Sequence, residues 1–245
     1  MSITIVQKGT QVNQSASLTA AITLTGCTAG NALIFCVSHE DSGGAAGQSV
    51  TASDNVGGSL TPDITNTRGN QAWAGVYSLW NIASGSHTIT ATSAVGTAGN
   101  SSFVINVMEV SGLGTSNSFD KSSGNNANTS TTPTTGTTST LAQASELVVC
   151  VVALNTNTTG WTVPPTGGNN SPYVSIYSHT TTCCGDADYQ INTSSTTGVA
   201  AAWGTLGTSQ IWSAVIGTYK AAQLLAFRKT LSPIGTRTGS RQIQL

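Results

Sequence analysis

Apolar and β-branched residues come along this chain in short runs, at 2–6, 17–24, 32–38, 74–80, 88–92 and 103–110, and again at 146–154, 173–178, 198–203 and 211–219. Gly, Asn, Ser or Asp bounds these runs, and no amphipathic stretch of about 10–15 residues separates them. The pattern predicts strands. The reversals are marked by 54–59, which holds Asp54, Asn55, Gly57 and Gly58, and by 83–86 around Gly85, where small residues tolerate positive φ. Strands at this density without intervening helices favour a sandwich or barrel over α/β. The expected fold is all-β: an antiparallel β-sandwich of jelly-roll-like form.

The second half of the pattern loosely repeats the first. Residues 29–38 match 144–152, Val76 and Tyr77 match Ile176 and Tyr177, and 102–110 match 210–218, at offsets of about 114, 100 and 108 residues. The expected organisation is a β-sandwich over 1–220 with similar halves at about 1–115 and 141–220, followed by a C-terminal arm at 221–245. A half of about 100 residues with so few apolar side chains closes a core poorly, so two interleaved halves of one sandwich are expected over two tandem sandwiches. The joining segment 121–140 is rich in Thr and Ser and reads by composition as a linker. Such a tract holds one position only if neighbours hold it, as a β-arm against a sheet edge would be held.

Composition sharpens this picture. Thr and Ser together make up 71 of 245 residues, while only 7% are charged against about 25% in an average protein. That excludes a helical bundle or coiled coil and suits pleated surfaces. The formal charge is −1 with a sequence pI near 6.2, but it is unevenly spread. Residues 1–219 hold Lys8, Arg68 and Lys121 against all nine acids, whereas 220–245 hold Lys220, Arg228, Lys229, Arg237 and Arg241 and no acid. A basic arm on an acidic body is expected to dock on an acidic protein surface. With no aromatic after Phe227 it makes a weak nucleic-acid footprint, and neither nucleic acid nor membrane is an expected partner. The first residues lack a continuous apolar segment, and no apolar run approaches the ~20 residues of a spanning helix, so synthesis in a cytoplasm is expected.

Candidate chemistry is sparse. Cys36 and Cys150 sit inside apolar runs and are expected in the core, Cys27 lies in a turn-like stretch, and Cys183 and Cys184 are adjacent. The cluster His179, Cys183, Cys184, Asp186, Asp188 holds metal-ligating types, but adjacent Cys point apart and no second Cys pair completes a zinc pattern, so a polar loop is expected and no metal or cofactor. His39, Glu40 and Asp41 place acids beside a base without a Gly-x-Ser-x-Gly nucleophile turn. Asp54, Asp63, Asp186 and Asp188 read as loop acids, without the facing pair that sugar hydrolysis requires. No catalytic residue is assigned. Trp73, Trp80, Trp203 and Trp212 lie in strand-like runs and are expected to fill the core, which leaves Trp161, before Pro164, as the candidate for stacking on a ligand such as a sugar.

Three segments carry a resemblance: Ala29-Gly-Asn-Ala-Leu-Ile-Phe-Cys-Val-Ser, residues 78–92 around Trp80 and His87, and Met108-Glu-Val-Ser-Gly-Leu-Gly followed by a Thr/Ser tract. Together they resemble the Thr/Gly/Ala-rich β-sandwich structural proteins of bacteriophage particles and bacterial surfaces. The resemblance implies a virion structural protein, a head decoration, fibre-like or tail-associated subunit. Its expected partners are copies of itself and other virion proteins, with a receptor- or carbohydrate-binding adhesin as the alternative. It brings no catalytic residue with it. The residues expected to carry assembly are Lys220, Arg228, Lys229, Arg237 and Arg241.

Overall fold

Strand β3, Ala32–Asp41, is buried at all ten of its residues. Strand β9, Ser101–Ser111, is buried at all but the last, and β11, Glu146–Leu154, throughout. Because successive side chains point to opposite faces, a strand buried at consecutive positions must be covered on both sides. The computed structural model, which describes residues 1–13, 17–41, 48–69, 71–94, 101–155, 165–167, 172–178 and 185–223, shows how this is achieved. The remaining strands are β1 (Thr4–Asn13), β2 (Thr19–Cys27), β4 (Val50–Asp54), β5 (Gly58–Leu60), β6 (Pro62–Arg68), β7 (Ala72–Leu79), β8 (Gly85–Ser93), β10 (Phe119–Ser130), β12 (Val174–Ser178), β13 (Gly185–Asn192) and β14 (Gln210–Lys220). No helix occurs among the described residues.

The strands form three antiparallel sheets of a layered sandwich. A central sheet has the order β1-β9-β3-β7-β6, an outer sheet β2-β8-β4-β5, and a C-terminal sheet β10-β14-β11-β13-β12. Along β3, Leu33, Phe35 and Val37 pack against Val50, Ala52, Ile89 and Ala91 of the outer sheet. Ile34 and Cys36 point the other way, onto Val149, Val151, Ala153 and Val215 of the C-terminal sheet. The far face of that sheet, with Val148, Cys150, Val152 and Ile216, carries a third core with Leu141, Tyr173, Val199, Trp203 and Leu206.

That third cover is an irregular ribbon. Thr135 N donates to Ala201 O (3.0 Å), Thr138 N to Val199 O (2.9 Å) and Trp203 N to Pro133 O (3.1 Å). Threonine hydroxyls supply what a regular ladder would: Val199 N donates to Thr138 Oγ1 and Ala201 N to Thr135 Oγ1, each at 3.0 Å. The expected strand at 198–203 is thus one side of this ribbon, joined to its neighbours by these scattered bonds and by isolated bridges from Ala202 to Thr134 and Thr166, with no continuous ladder. The Thr/Ser-rich segment is not a plain linker either: its first part is β10, paired with β14, and its second part is the other side of the ribbon.

The halves repeat more closely in topology than in sequence. Matching β1, β9, β3, β7 and β6 in order with β10, β14, β11, β13 and β12 reproduces the strand order of the central sheet in the C-terminal one. The two sheets stack in opposite lateral sense: Lys8 of β1 reaches Ser175 O of β12 (3.0 Å), Ser38 of β3 reaches Val152 O of β11 (2.9 Å), and Asn126 of β10 reaches Asn66 Oδ1 of β6 (2.9 Å). A pseudo-twofold axis along β3 and β11 relates them. Among the described residues no sheet takes strands from both halves, so the halves meet face to face instead of interleaving. Two details of the sequence repeat shift accordingly. Val76 and Tyr77 of β7 correspond to β13, not to Ile176 and Tyr177 of β12. The offset of 114 sets Cys36 over Cys150, yet these face different cores, because a one-residue slip turns a strand over.

Candidate functional site

Lys220, the first basic residue of the C-terminal segment, ends β14. Residues 221–223 beyond it are held by backbone and amide hydrogen bonds. Lys220 N donates to Ser118 O (2.8 Å), Ala221 N to Ser145 O (3.1 Å), Ala222 N to Gly112 O (2.8 Å) and the Met1 amine to Ala222 O (2.9 Å). Gln143 Nε2 donates to Ala221 O (3.2 Å), and Gln223 Nε2 to Gln143 Oε1 (3.1 Å). A cleft of about 550 Å³, lined in part by Asn31, Thr115, Ser116 and Gln223, opens beside this root. A second hollow of about 250 Å³ adjoins it and is lined by Asn117, Gln143 and Lys220.

Beneath the root lies an acid pair. Asp120 accepts from Ala142 N (2.7 Å) and faces Lys121 Nζ at 3.2 Å and Lys220 Nζ at 3.8 Å. Burial opposes its ionisation, but the Ala142 amide, Lys121 and a hydrogen bond from Glu146 outweigh it and hold the carboxyl below the usual range. Glu146 is fully buried nearby, and burial together with Asp120 pushes it up to about 7. The pair therefore holds its proton on Glu146 below about pH 7 and its charge on Asp120, next to the two lysines.

The other acids are turned inward as well. Asp186 and Asp188, two apart on β13, share one face and are fully buried. Trp203 Nε1 donates to Asp186 Oδ2 (3.2 Å) and Ser175 Oγ to Asp188 Oδ1 (2.9 Å). Burial raises both, Asp188 to about 6 and Asp186, with Asp188 as a like charge beside it, well above its ordinary value. Burial likewise raises Glu40 to about 7, partly offset by Ser102 Oγ donating at 3.0 Å. Glu109 is the contrary case. Burial opposes its charge, but Gln7 Nε2 (2.6 Å), Thr28 N (2.8 Å) and Asn31 Nδ2 (2.6 Å) all donate to it and keep it ionised.

Three acids and histidines have plain structural work. Asp54 Oδ2 accepts from Val56 N (3.1 Å) and Gly57 N (2.6 Å), closing the reversal between β4 and β5, and lies 3.0 Å from His87 Nδ1. His87 Nε2 meets Ala83 O at 3.0 Å, and since a carbonyl only accepts, that nitrogen carries a proton. Asp63 accepts from Tyr219 Oη at 2.8 Å.

The loop acids of the sequence reading are therefore strand or turn residues in separate layers: Asp54 beside the outer-sheet core, Asp63 against the core between the central and C-terminal sheets, Asp186 and Asp188 by the ribbon. His39 and Asp41 share a face of β3 and Glu40 takes the opposite one. His39 is buried against Phe103, with ring centroids 4.4 Å apart, and neither ring nitrogen has a hydrogen-bond partner among the described residues. Burial lowers it to about 4, which keeps the imidazole neutral at pH 7. Among the described residues no group of three or more His, Cys, Asp or Glu is placed to hold a metal ion. Trp161, His179, Cys183, Cys184, Arg228, Lys229, Arg237 and Arg241 lie outside the described residues. Glu109 and Glu146 were not singled out from the sequence. Their signal was an acid inside or opening an apolar run, which in a strand buried on both faces places the carboxyl in the core.

No family model, no curated protein and no solved structure matches this chain.

Proposed function

We propose that this chain is a structural subunit of a bacteriophage particle, a head-decorating, fibre-like or tail-associated protein. In this reading it packs through its sandwich surfaces and docks on a neighbour through 221–245. The observation that supports this best is the distribution of charge. The described exterior offers hydroxyl and amide groups while the carboxyls face inward, so copies can approach with little mutual repulsion, and the cations of the C-terminal segment begin at a fixed root. Particles purified from the producing host should contain the full chain. Deleting 224–245 should remove it from the particles while the isolated truncated protein keeps its melting temperature. Particles that retain the truncated chain, or that lack the full one, would contradict the proposal.

A second reading, a receptor- or carbohydrate-binding adhesin, draws on the amide- and hydroxyl-lined cleft at the root. A glycan-array signal abolished by Asn31→Ala or Trp161→Ala would favour it.

A further inference from the structure

The outer sheet packs one face on the central sheet through Ala20, Ile89 and Ala52 and turns the other to solvent. On that outward face β8 carries Thr88, Thr90 and Thr92. Thr23 and Thr19 of β2 stand opposite Thr88 and Thr92, with Ala21 opposite Thr90, and Thr51 and Ser53 of β4 stand opposite Thr92 and Thr90. Pairing runs without a bulge through 19–24 and 50–54, so these side chains form a net, about 4.8 Å from strand to strand and about 6.7 Å along each strand. Thr19, Thr23 and Thr51 are exposed, and the threonines of β8 are half-buried between them. β-Branching restricts the rotamer of each threonine. The Thr23 and Thr88 hydroxyls meet at 2.9 Å and Thr51 Oγ1 donates to Thr92 O (3.3 Å), which holds the net stiff. No charged or aromatic side chain occupies it.

A periodic surface is matched best by a periodic partner. A protein interface gathers its affinity at a few aromatic or Arg anchors, a sugar site at an aromatic platform in a concavity, and a nucleic acid at a row of cations, and this net has none of them. What it repeats is one hydroxyl and one methyl at a fixed pitch. Each hydroxyl holds a water by a hydrogen bond, and the methyls between leave that water few other arrangements, so the bound waters fall into rows. Oxygen atoms on the prism face of hexagonal ice form a rectangular net of comparable pitch. We propose that the outward threonines of β2, β8 and β4 form an ice-binding surface. This face is separate from the C-terminal segment, and its role stands or falls independently of the assembly role proposed above.

The test freezes a dilute solution of the full chain slowly onto a cold probe and compares the protein taken into the ice with the protein left in the liquid. Thr90→Lys at the centre of the net, Thr23→Lys on β2 and, as a control, Thr65→Lys at an exposed position of β6 are run in parallel, each with its melting temperature. The full chain and T65K should enter the ice. T90K and T23K should stay in the liquid while melting at the temperature of the parent. Exclusion of the full chain from the ice would overturn the proposal, as would uptake of T90K and T23K equal to that of the parent. Where one Lys variant loses its fold, the other variant and the partition of the parent decide. The same four proteins are mixed above freezing with crystalline cellulose and with crystalline chitin. Retention there that T90K abolishes would also overturn the proposal, because the partner of the face would then be a polysaccharide lattice.

Discussion

Asp54 shows how much one buried carboxylate can hold. It accepts from two turn amides and meets His87, which in turn donates to Ala83 O, so one side chain ties the β4–β5 reversal to the strand that follows the 83–86 turn. Asp54→Ala leaves these donors unsatisfied in a dry site and should cost about 3 kcal/mol, read as a lower urea midpoint at constant slope. Asp186 is the opposite case. Held neutral beside Asp188, it should tolerate an amide: Asp186→Asn should stay within about 1 kcal/mol of the parent at pH 5 and lose less stability than the parent on going to pH 8, whereas Asp186→Ala should be weaker at both. A D186N protein that loses stability as steeply with pH as the parent would contradict the assignment of the proton. At this scale little was legible in the sequence. Asp54, Asp63, Asp186 and Asp188 stand among Ser, Thr and Asn and look like loop acids, and only the layer into which each strand folds decides that they are covered.

Elements were legible where they are apolar throughout. The runs at 32–38, 103–110, 146–154 and 211–219 became β3, β9, β11 and β14, four of the six inner strands of the two stacked sheets. β4, β5, β6 and β13 were missed, because they are short or polar, with β5 and β6 at sheet edges, or, in β13, carry two Asp on a buried face, whereas the polar tract 121–140 was expected as a β-arm against a sheet edge and its first part is β10. The run at 198–203 misled for the converse reason: Val199, Ala201 and Trp203 fill a core from an irregular ribbon whose partner is the Thr-rich tract. Close approach of the two stacked sheets also depends on a missing side chain. A Cβ at Gly185 in β13 would collide with the Ser38 side chain of β3 and lie 2.8 Å from Val152 O. Gly185→Val should therefore force the sheets apart and cost about 2–3 kcal/mol, seen as a lower melting temperature, while Gly69→Val, where a Cβ has open space, adds only local backbone strain at its positive φ.

For the whole molecule, the pseudo-twofold stacking puts a shared core between the halves, and the inward carboxyls give it an unusual response to pH. Glu40 and Glu146 at about 7, Asp188 at about 6 and Asp186 well raised keep protons in the folded chain that the unfolded chain releases near pH 4. Their contribution is complete below about pH 4 and is lost as pH rises through about 7. His39, lowered to about 4, works the other way between pH 4 and 6.5, but it is one group against four. Melting temperature should thus be higher at pH 5 than at pH 8 by roughly 5 °C or more, and the reverse order would show that these carboxyls are ionised in the fold. The same proton uptake makes the folded chain more positive than its sequence. Isoelectric focusing of the native protein beside the protein in urea measures it directly: the native band should focus about one pH unit above the unfolded one, whose position should lie near the sequence value of 6.2. Native and unfolded bands at the same pH, or a native band at the lower pH, would mean that the acids are charged and facing water, and the inward-turned body with its cationic arm would not stand.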